Sequence, residues 1–414
     1  MKNKISLEKI AVSNNRVDFF FSTSKELSKY FKYKHLYFKY NYDLNDVPTS
    51  VVVIPFVANI IPLVWLTDSI LEINEVDESF FKCLAKVKVG YKNMFPNVQF
   101  KGEIRTSNII PNQYTPTNEA ASLFSGGLDA LATFVRIKDK RPILITEFGW
   151  HEKDIQYSEV WEADKKNAMN FASENGLQNI LVESNYGTFI DDSNINKEFS
   201  RKLGDTWWHG LHHGLAIISA AVPICYKLKI KTIYIGSSNT PLLKVPCASD
   251  PSVDNEFKFA SSHVFHDAYE LNRQDKVKVV VDQYSSIKSK VAIRVCFKNE
   301  ENCCRCEKCL RTIMGIVAEG ENPIKYGFNI PGDLNLFLKQ AIDSEVKFFT
   351  DTFIKIYWEL IQDRMKKNYR KNPEIAAWFI HYQFKEQRKK SLLKYRIVNF
   401  FPILKRKIHT AFSG

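Results

Sequence analysis

The chain holds no uninterrupted apolar stretch of the roughly 20 residues that a membrane helix needs. Its best candidate, VVVIPFVANIIPLVWL from Val51 to Leu66, is broken by Pro55, Asn59 and Pro62. It reads instead as a buried strand followed by a buried helix. The opening MKNKISLEKIAVSNNRVDFFF has charges but no apolar segment behind them, so a secretory signal is not expected and a cytoplasmic setting is. Internal repeats and low-complexity tracts are absent. Cysteine is scarce except in one place: three of the eight are scattered, and five fall between Cys296 and Cys309. Disulfide frameworks of secreted domains spread their cysteines along a short chain, so this cluster points to a reducing compartment and a metal.

What is present fits a globular protein of two or three domains. The 414 residues are 45% hydrophobic and 25% charged, enough for a real core. The net charge of +12 calls for an anionic partner: a nucleotide, a nucleic acid or a membrane surface. Residues 1 to 117 alternate short β-like runs (HLYFKYNY, SVVVIPFV, VQFKGEIRT) with polar breaks and one helical stretch from Ser79, an α+β N-terminal domain. PNQYTPTNEA, from Pro111, reads as a linker. From Ala121 strands and helices alternate: ASLF, DALATFVRIKD, RPILITEFGW, SEVWEADKKNAMNFASENG, NILVES, GLHHGLAIISAAVPICYKLK, TIYIGSSN. Such alternation predicts an α/β fold, a parallel sheet with helices on both faces. The helix ending near Gly176 has a glycine stop. The region from about 323 to 414 reads as helical and basic.

SLFSGGLDALATF, from Ser122 to Phe134, places paired glycines between a strand and a helix. Gly126 and Gly127 allow backbone angles closed to other residues. The amides that follow belong to a first helical turn and lack internal partners, so with the helix dipole they face an anion. Ser125 adds a hydroxyl. The kinase-type phosphate loop is excluded, because no Gly-Lys-Ser/Thr follows, and the dinucleotide fingerprint is excluded for want of a third glycine.

The second constellation is VCFKNEENCCRCEKCLRT, with spacing Cys296-x6-Cys303-x2-Cys306-x2-Cys309. Four thiolates suit tetrahedral zinc; they also suit an iron–sulfur cluster, and spacing does not separate the two. Arg305, Lys308 and Arg311 would offset the thiolate charge. Cys304 is the spare, with a swap for Cys303 open.

SGGxD at a strand-to-helix turn resembles the PP-loop of the ATP pyrophosphatase superfamily, and the pair of motifs resembles the 7-cyano-7-deazaguanine synthases of the queuosine pathway. Ser125, Gly126, Gly127, Leu128 and Asp129 match the loop; Ala130 stands where the family has serine. Cys296, Cys303, Cys306 and Cys309 match the family's cysteines, with Cys304 in place of a glycine. The resemblance covers about Ala121 to Gly315 within a domain set at 118 to 322. It implies an adenine-nucleotide alpha-hydrolase-like fold. It implies an ATP- and Mg2+-dependent ligase with structural Zn2+, which forms AMP and pyrophosphate by adenylating a carboxylate or amide of a small-molecule or base-like substrate, with Asp129 toward the Mg2+.

Other residues join the expected site by position. Gly236 and Ser237 follow the strand TIYI, and ligands of open parallel sheets bind beyond the carboxyl ends of strands. The loop through CASDPSVDNEF should lie over the site. Glu270, Arg273 and Lys276 would share one face of a helix by threefold spacing, with Arg273 and Lys276 facing charge that builds during transfer. His209, His212 and His213 are expected at a helix start near the substrate pocket rather than on a metal, and Trp207 and Trp208 in the core. From Lys385 to Lys407 nine basic residues stand against one acid, Glu386, a net +8. This stretch suits an anionic membrane surface, hence a location peripheral to the membrane, or a phosphate backbone. Further readings are a tRNA- or RNA-modifying enzyme of the same superfamily, a 7-deazaguanine-related conjugating enzyme of an antiviral system, and a non-catalytic nucleotide-binding protein. A homodimer is a further partner left open.

Overall fold

A computed structural model describes residues 2–150, 155–243, 245–287, 290–296 and 299–395. The chain divides into two units, Met1–Glu270 and Leu271–Gly414. The first is built on one sheet of eleven strands: β1 (Lys4–Ser13), β2 (Arg16–Thr23), β3 (His35–Tyr40), β4 (Ile70–Asp77), β5 (Glu103–Ile110), β6 (Asn118–Leu123), β7 (Ile143–Phe148), β8 (Asn179–Ser184), β9 (Ile230–Gly236), β10 (Lys258–Phe259) and β11 (Ser262–Asp267). Their spatial order is β10-β11-β9-β6-β7-β8-β3-β2-β1-β4-β5. The run β11-β9-β6-β7-β8 is parallel throughout, as are β1-β4-β5. The β8–β3 pair is antiparallel and joins the two halves, so the N-terminal strands extend the same sheet. The boundary expected near residue 117 falls within this unit.

The helices of this unit are α1 (Thr49–Val52), α2 (Ile54–Leu66), α3 (Glu78–Met94), α4 (Leu128–Ile137), α5 (Ile155–Glu174), α6 (Asp192–Leu203), α7 (His213–Ala220), α8 (Val222–Lys227) and α9 (Pro251–Asp254), with a wide π-turn over Trp208–His212. The sequence progresses outward from β6 to β7 to β8, then returns to β9 on the other side of β6. Right-handed crossovers place the helices of the outward and return paths on opposite faces. All six residues of β7 are buried, as a strand covered on both faces requires.

The stretch Val51–Leu66 is helical on both sides of a single turn residue, Val53, not strand then helix. Its β-branched residues carry a strand signal, but it is buried on every side, and a helix apolar all round is stable only inside a core. Asn59, the polar residue within it, donates to the Pro55 carbonyl (2.8 Å) and meets His212 Nε2 (2.9 Å). No helix among the described residues is long and apolar enough to cross a membrane.

The second unit is helical: α10 (Arg273–Tyr284), α11 (Glu307–Ala318), α12 (Leu334–Glu345), α13 (Asp351–Phe353), α14 (Glu359–Lys367) and α15 (Pro373–Phe379). A polar network ties three of them. Gln274 donates to the Gly315 carbonyl (3.0 Å) and to Glu319 (2.7 Å). Arg364 bridges Glu319 (2.6 Å) and Asp275 (2.9 Å). Residues 384–395 are helical; the basic stretch from Arg396 to Lys407 lies outside the described residues.

Candidate functional site

The chain leaves β6 under tight control. Phe124 N–H donates to the Ile145 carbonyl (2.7 Å), and the Thr146 hydroxyl donates back to the Phe124 carbonyl (2.7 Å). The next residue, Ser125, is exposed and its hydroxyl accepts from Gly127 N–H (3.3 Å). Gly126 sits at φ +72°, a left-handed conformation that costs other residues about 1–2 kcal/mol. Gly127 is the N-cap of α4 and Leu128 and Asp129 open its first turn. Leu128 is buried in the core. The helix N-terminus therefore emerges at the carboxyl end of β6.

β9 ends beside it, at the point where the order of strands reverses. That is where open α/β sheets bind ligands. Gly236 is required there by helix packing: a Cβ would lie 2.7 Å from the Asp129 carbonyl oxygen and 3.0 Å from Thr133 Oγ1. Ser237 is buried, its amide bound to the Asp267 carbonyl (2.9 Å) and its hydroxyl to that of Asn239 (2.9 Å). Its neighbour Ser238 faces a cavity of about 300 Å3, which Ser125, Gly127, Asp129, Ala130 and Gly236 also line.

Sequence reasoning missed the floor of this cavity. Glu147, from β7, lines it while remaining about nine-tenths buried. Its Oε2 accepts from the Tyr186 hydroxyl (3.3 Å), and among the described residues its Oε1 has no hydrogen-bond partner. Burial pushes the carboxyl well above its ordinary range, which favours its protonated form. A lone acid in the apolar run PILITEF was the available signal. Trp150 lines the cavity beyond it.

The far wall comes from α7 and the loop after β9. That loop, expected over the site, supplies Cys247 and Ser249, and α7 supplies His213 and Ile217. The loop is pinned to the helix: Ala248 N–H donates to the His209 carbonyl (2.7 Å), and a Cβ on Gly214 would lie 2.3 Å from the Ala248 carbonyl oxygen. Of the three histidines, His209 meets Asp205 (2.5 Å) and His212 is buried against Asn59, where burial pushes its pKa down to about 3. Trp207 is wholly buried, stacked on His212 at 5.0 Å. Trp208 stacks on Tyr186 at 6.3 Å.

Glu270 does not belong to the helix expected to carry it. Asn272 is the N-cap of α10, its side chain accepting from Asp275 N–H, so the helix starts at Arg273. Glu270 instead pairs with Arg136 (2.8 Å), which also binds the buried Asp267 (3.1 Å). Arg273, in the second unit, donates to the Thr312 hydroxyl (3.2 Å), and Lys276 is buried.

The second unit also holds the cysteine centre. The sulfurs of Cys296, Cys303, Cys306 and Cys309 all lie within 4.8 Å of one another. Thiolates about 2.3 Å from one tetrahedral ion stand about 3.8 Å apart, and Cys303 and Cys309 are separated by 3.8 Å. The donor set and spacing fit a single zinc ion. Cys306 is the N-cap of α11, where the helix dipole favours a thiolate. Asn302 braces the turn, accepting from the amides of Val295 (3.1 Å) and Cys296 (3.2 Å) and donating to the Ile293 carbonyl (2.8 Å). Cys304 is not among the four and takes φ +56°, a left-handed turn position suited to glycine. Arg305 and Lys308 are exposed, whereas Arg311 is buried, paired with Glu307 (3.2 Å) and packed over the Tyr357 ring (4.0 Å).

No protein-family model matches the chain, and no curated protein matches it significantly.

Proposed function

We propose that the chain is a PP-loop ATP pyrophosphatase, related to the 7-cyano-7-deazaguanine synthases, with an adenine-nucleotide alpha-hydrolase-like sheet extended by its N-terminal strands and a helical C-terminal region. One observation carries the reading: the Ser125–Asp129 turn sits at the start of α4, at the strand-order reversal between β6 and β9, and opens on a cavity. Helix amides and Ser125 would hold the outer phosphates of ATP. Among the described residues lining the cavity none is lysine or arginine, so the remaining phosphate charge would fall to Mg2+, with Asp129 as its ligand. A protonated Glu147 adds no repulsive charge. The substrate oxygen, from a carboxylate or amide, attacks the α-phosphorus, pyrophosphate leaves, and a nucleophile then displaces AMP. The zinc ion would be structural, closing the turn before α11. ATP consumption that yields AMP and pyrophosphate, rather than ADP, tests the reading. Asp129→Asn should abolish AMP formation while the unfolding temperature stays unchanged; full turnover in that variant would remove the assignment.

Ala130 supports a second reading, nucleotide binding without turnover. It lines the cavity where the family's serine would add a hydroxyl. ATP binding with no AMP formed under any acceptor would favour it.

A further inference from the structure

The cavity holds a thiol and an imidazole that neither the phosphate loop nor the metal centre uses. His213 Nδ1 lies 2.9 Å from the Trp208 carbonyl oxygen. A carbonyl only accepts, so Nδ1 carries the proton and Nε2 presents its lone pair. That lone pair faces Cys247 Sγ at 3.8 Å, so the thiol is the donor. Both side chains line the same cavity as Ser125 and Asp129. A nucleophile, a base within reach and a third group that orients the base make up the arrangement of covalent catalysis. Two features hold it in place. The Ala248 amide is bound to the His209 carbonyl, and Gly214 alone permits the close approach of the Ala248 carbonyl. The same cavity contains the Oε1 of the nine-tenths-buried Glu147, which has no hydrogen-bond partner among the described residues and so marks the cavity independently as a ligand site.

We propose that Cys247 is a covalent acyl acceptor, with His213 as its general base, in a relay that rests on the adenylation reading above. The Cys247 sulfur attacks the carbonyl carbon of the acyl-adenylate. The C–S bond forms, the C–O bond to AMP breaks, and AMP leaves with the electron pair. The thiol proton passes to His213 Nε2. An incoming amine then attacks the thioester, the C–N bond forms and the C–S bond breaks. The imidazolium returns its proton to the thiolate, and the amine nitrogen loses its extra proton to water. Burial pushes the Cys247 thiol up to about 11 and His213 down, so both rest neutral until an acyl group arrives. A thioester keeps the activated acyl group on the protein after AMP departs, which suits a bulky acceptor such as a peptide amine.

The test needs no natural substrate. p-Nitrophenyl acetate is added to the full chain, and acetylated cysteines are located by peptide mass spectrometry. Cys247 should acquire the acetyl group ahead of Cys83, a buried thiol hydrogen-bonded to the Lys258 backbone. His213→Gln should slow acetylation of Cys247 by about 100-fold, the low end for a lost general base. Acetylation of Cys247 no faster than that of Cys83 overturns the proposal, even if the variant does not fold; so does an unchanged rate in a folded His213→Gln. MgATP separates the two readings. Protection of Cys247 by MgATP places the nucleotide in the same cavity. His213-dependent acetylation without such protection keeps Cys247 and His213 as a reactive pair but removes the nucleotide from this site, and with it the acyl-adenylate as the donor, which overturns the relay.

Discussion

Replacing Glu147 by glutamine removes a proton-binding group while keeping its shape. In the folded chain burial holds this carboxyl protonated above its ordinary value of 4.5. The unfolded chain releases the proton near 4.5. Above that pH unfolding therefore releases a proton, and the native state loses about 1.36 kcal/mol for each pH unit until the folded group ionises. The contribution is complete below pH 4.5 and declines as pH rises. By pH 7 the wild type should have lost up to about 3.4 kcal/mol relative to Glu147→Gln. For a unit of this size each kcal/mol moves the unfolding temperature by about 2–4 °C. The measurement is the gap between the unfolding temperatures of the two proteins from pH 5 to pH 8. The gap should widen in favour of the glutamine variant as pH increases. A constant gap would mean that Glu147 ionises in the ordinary range, and the picture of an uncharged cavity floor would fail.

Three further outcomes follow from the geometry. Gly236→Ala drives a Cβ into the Asp129 backbone at 2.7 Å, so α4 must shift; overpacking of this kind costs about 1–3 kcal/mol, and calorimetric titration should show weakened MgATP binding together with a lower unfolding temperature. Metal analysis of the purified chain should return one zinc and no inorganic sulfide per molecule, since four sulfurs within 4.8 Å of one another surround one ion and leave no room for a cluster. Cys306→Ala should lose that zinc and destabilise the second unit by several kcal/mol, as expected where metal binding is coupled to folding, seen as a lower unfolding temperature that added zinc does not restore.

Much of the site was legible because its signals are local. The glycine turn from Ser125 to Asp129 announces itself, since Gly126 needs φ +72° and Asp129 begins a helix whatever surrounds them. The thiol spacing from Cys303 to Cys309 is likewise local, and Cys306 and Cys309 lie on the start of one helix. NILVES is β8 to the residue, because a short β-branched run bounded by polar residues has few alternatives. Local pattern misled at Val51–Leu66, where burial on all sides chose helix over strand. It misled again at Glu270, where the Asn272 cap started the helix at Arg273, three residues later than threefold spacing implied.

The sequence alone determined that a glycine turn opens a helix after β6 and which thiols can close around an ion, because backbone angles and ligand spacing are properties of a few neighbouring residues. Only tertiary structure decided that β9 lies against β6, and so that Gly236 meets Asp129. It alone brought His213 to Cys247, set Glu147 beneath both, and drew the N-terminal strands into the same sheet. Those meetings join residues far apart in the chain, and they depend on strand order and crossover direction, which no short stretch of sequence encodes.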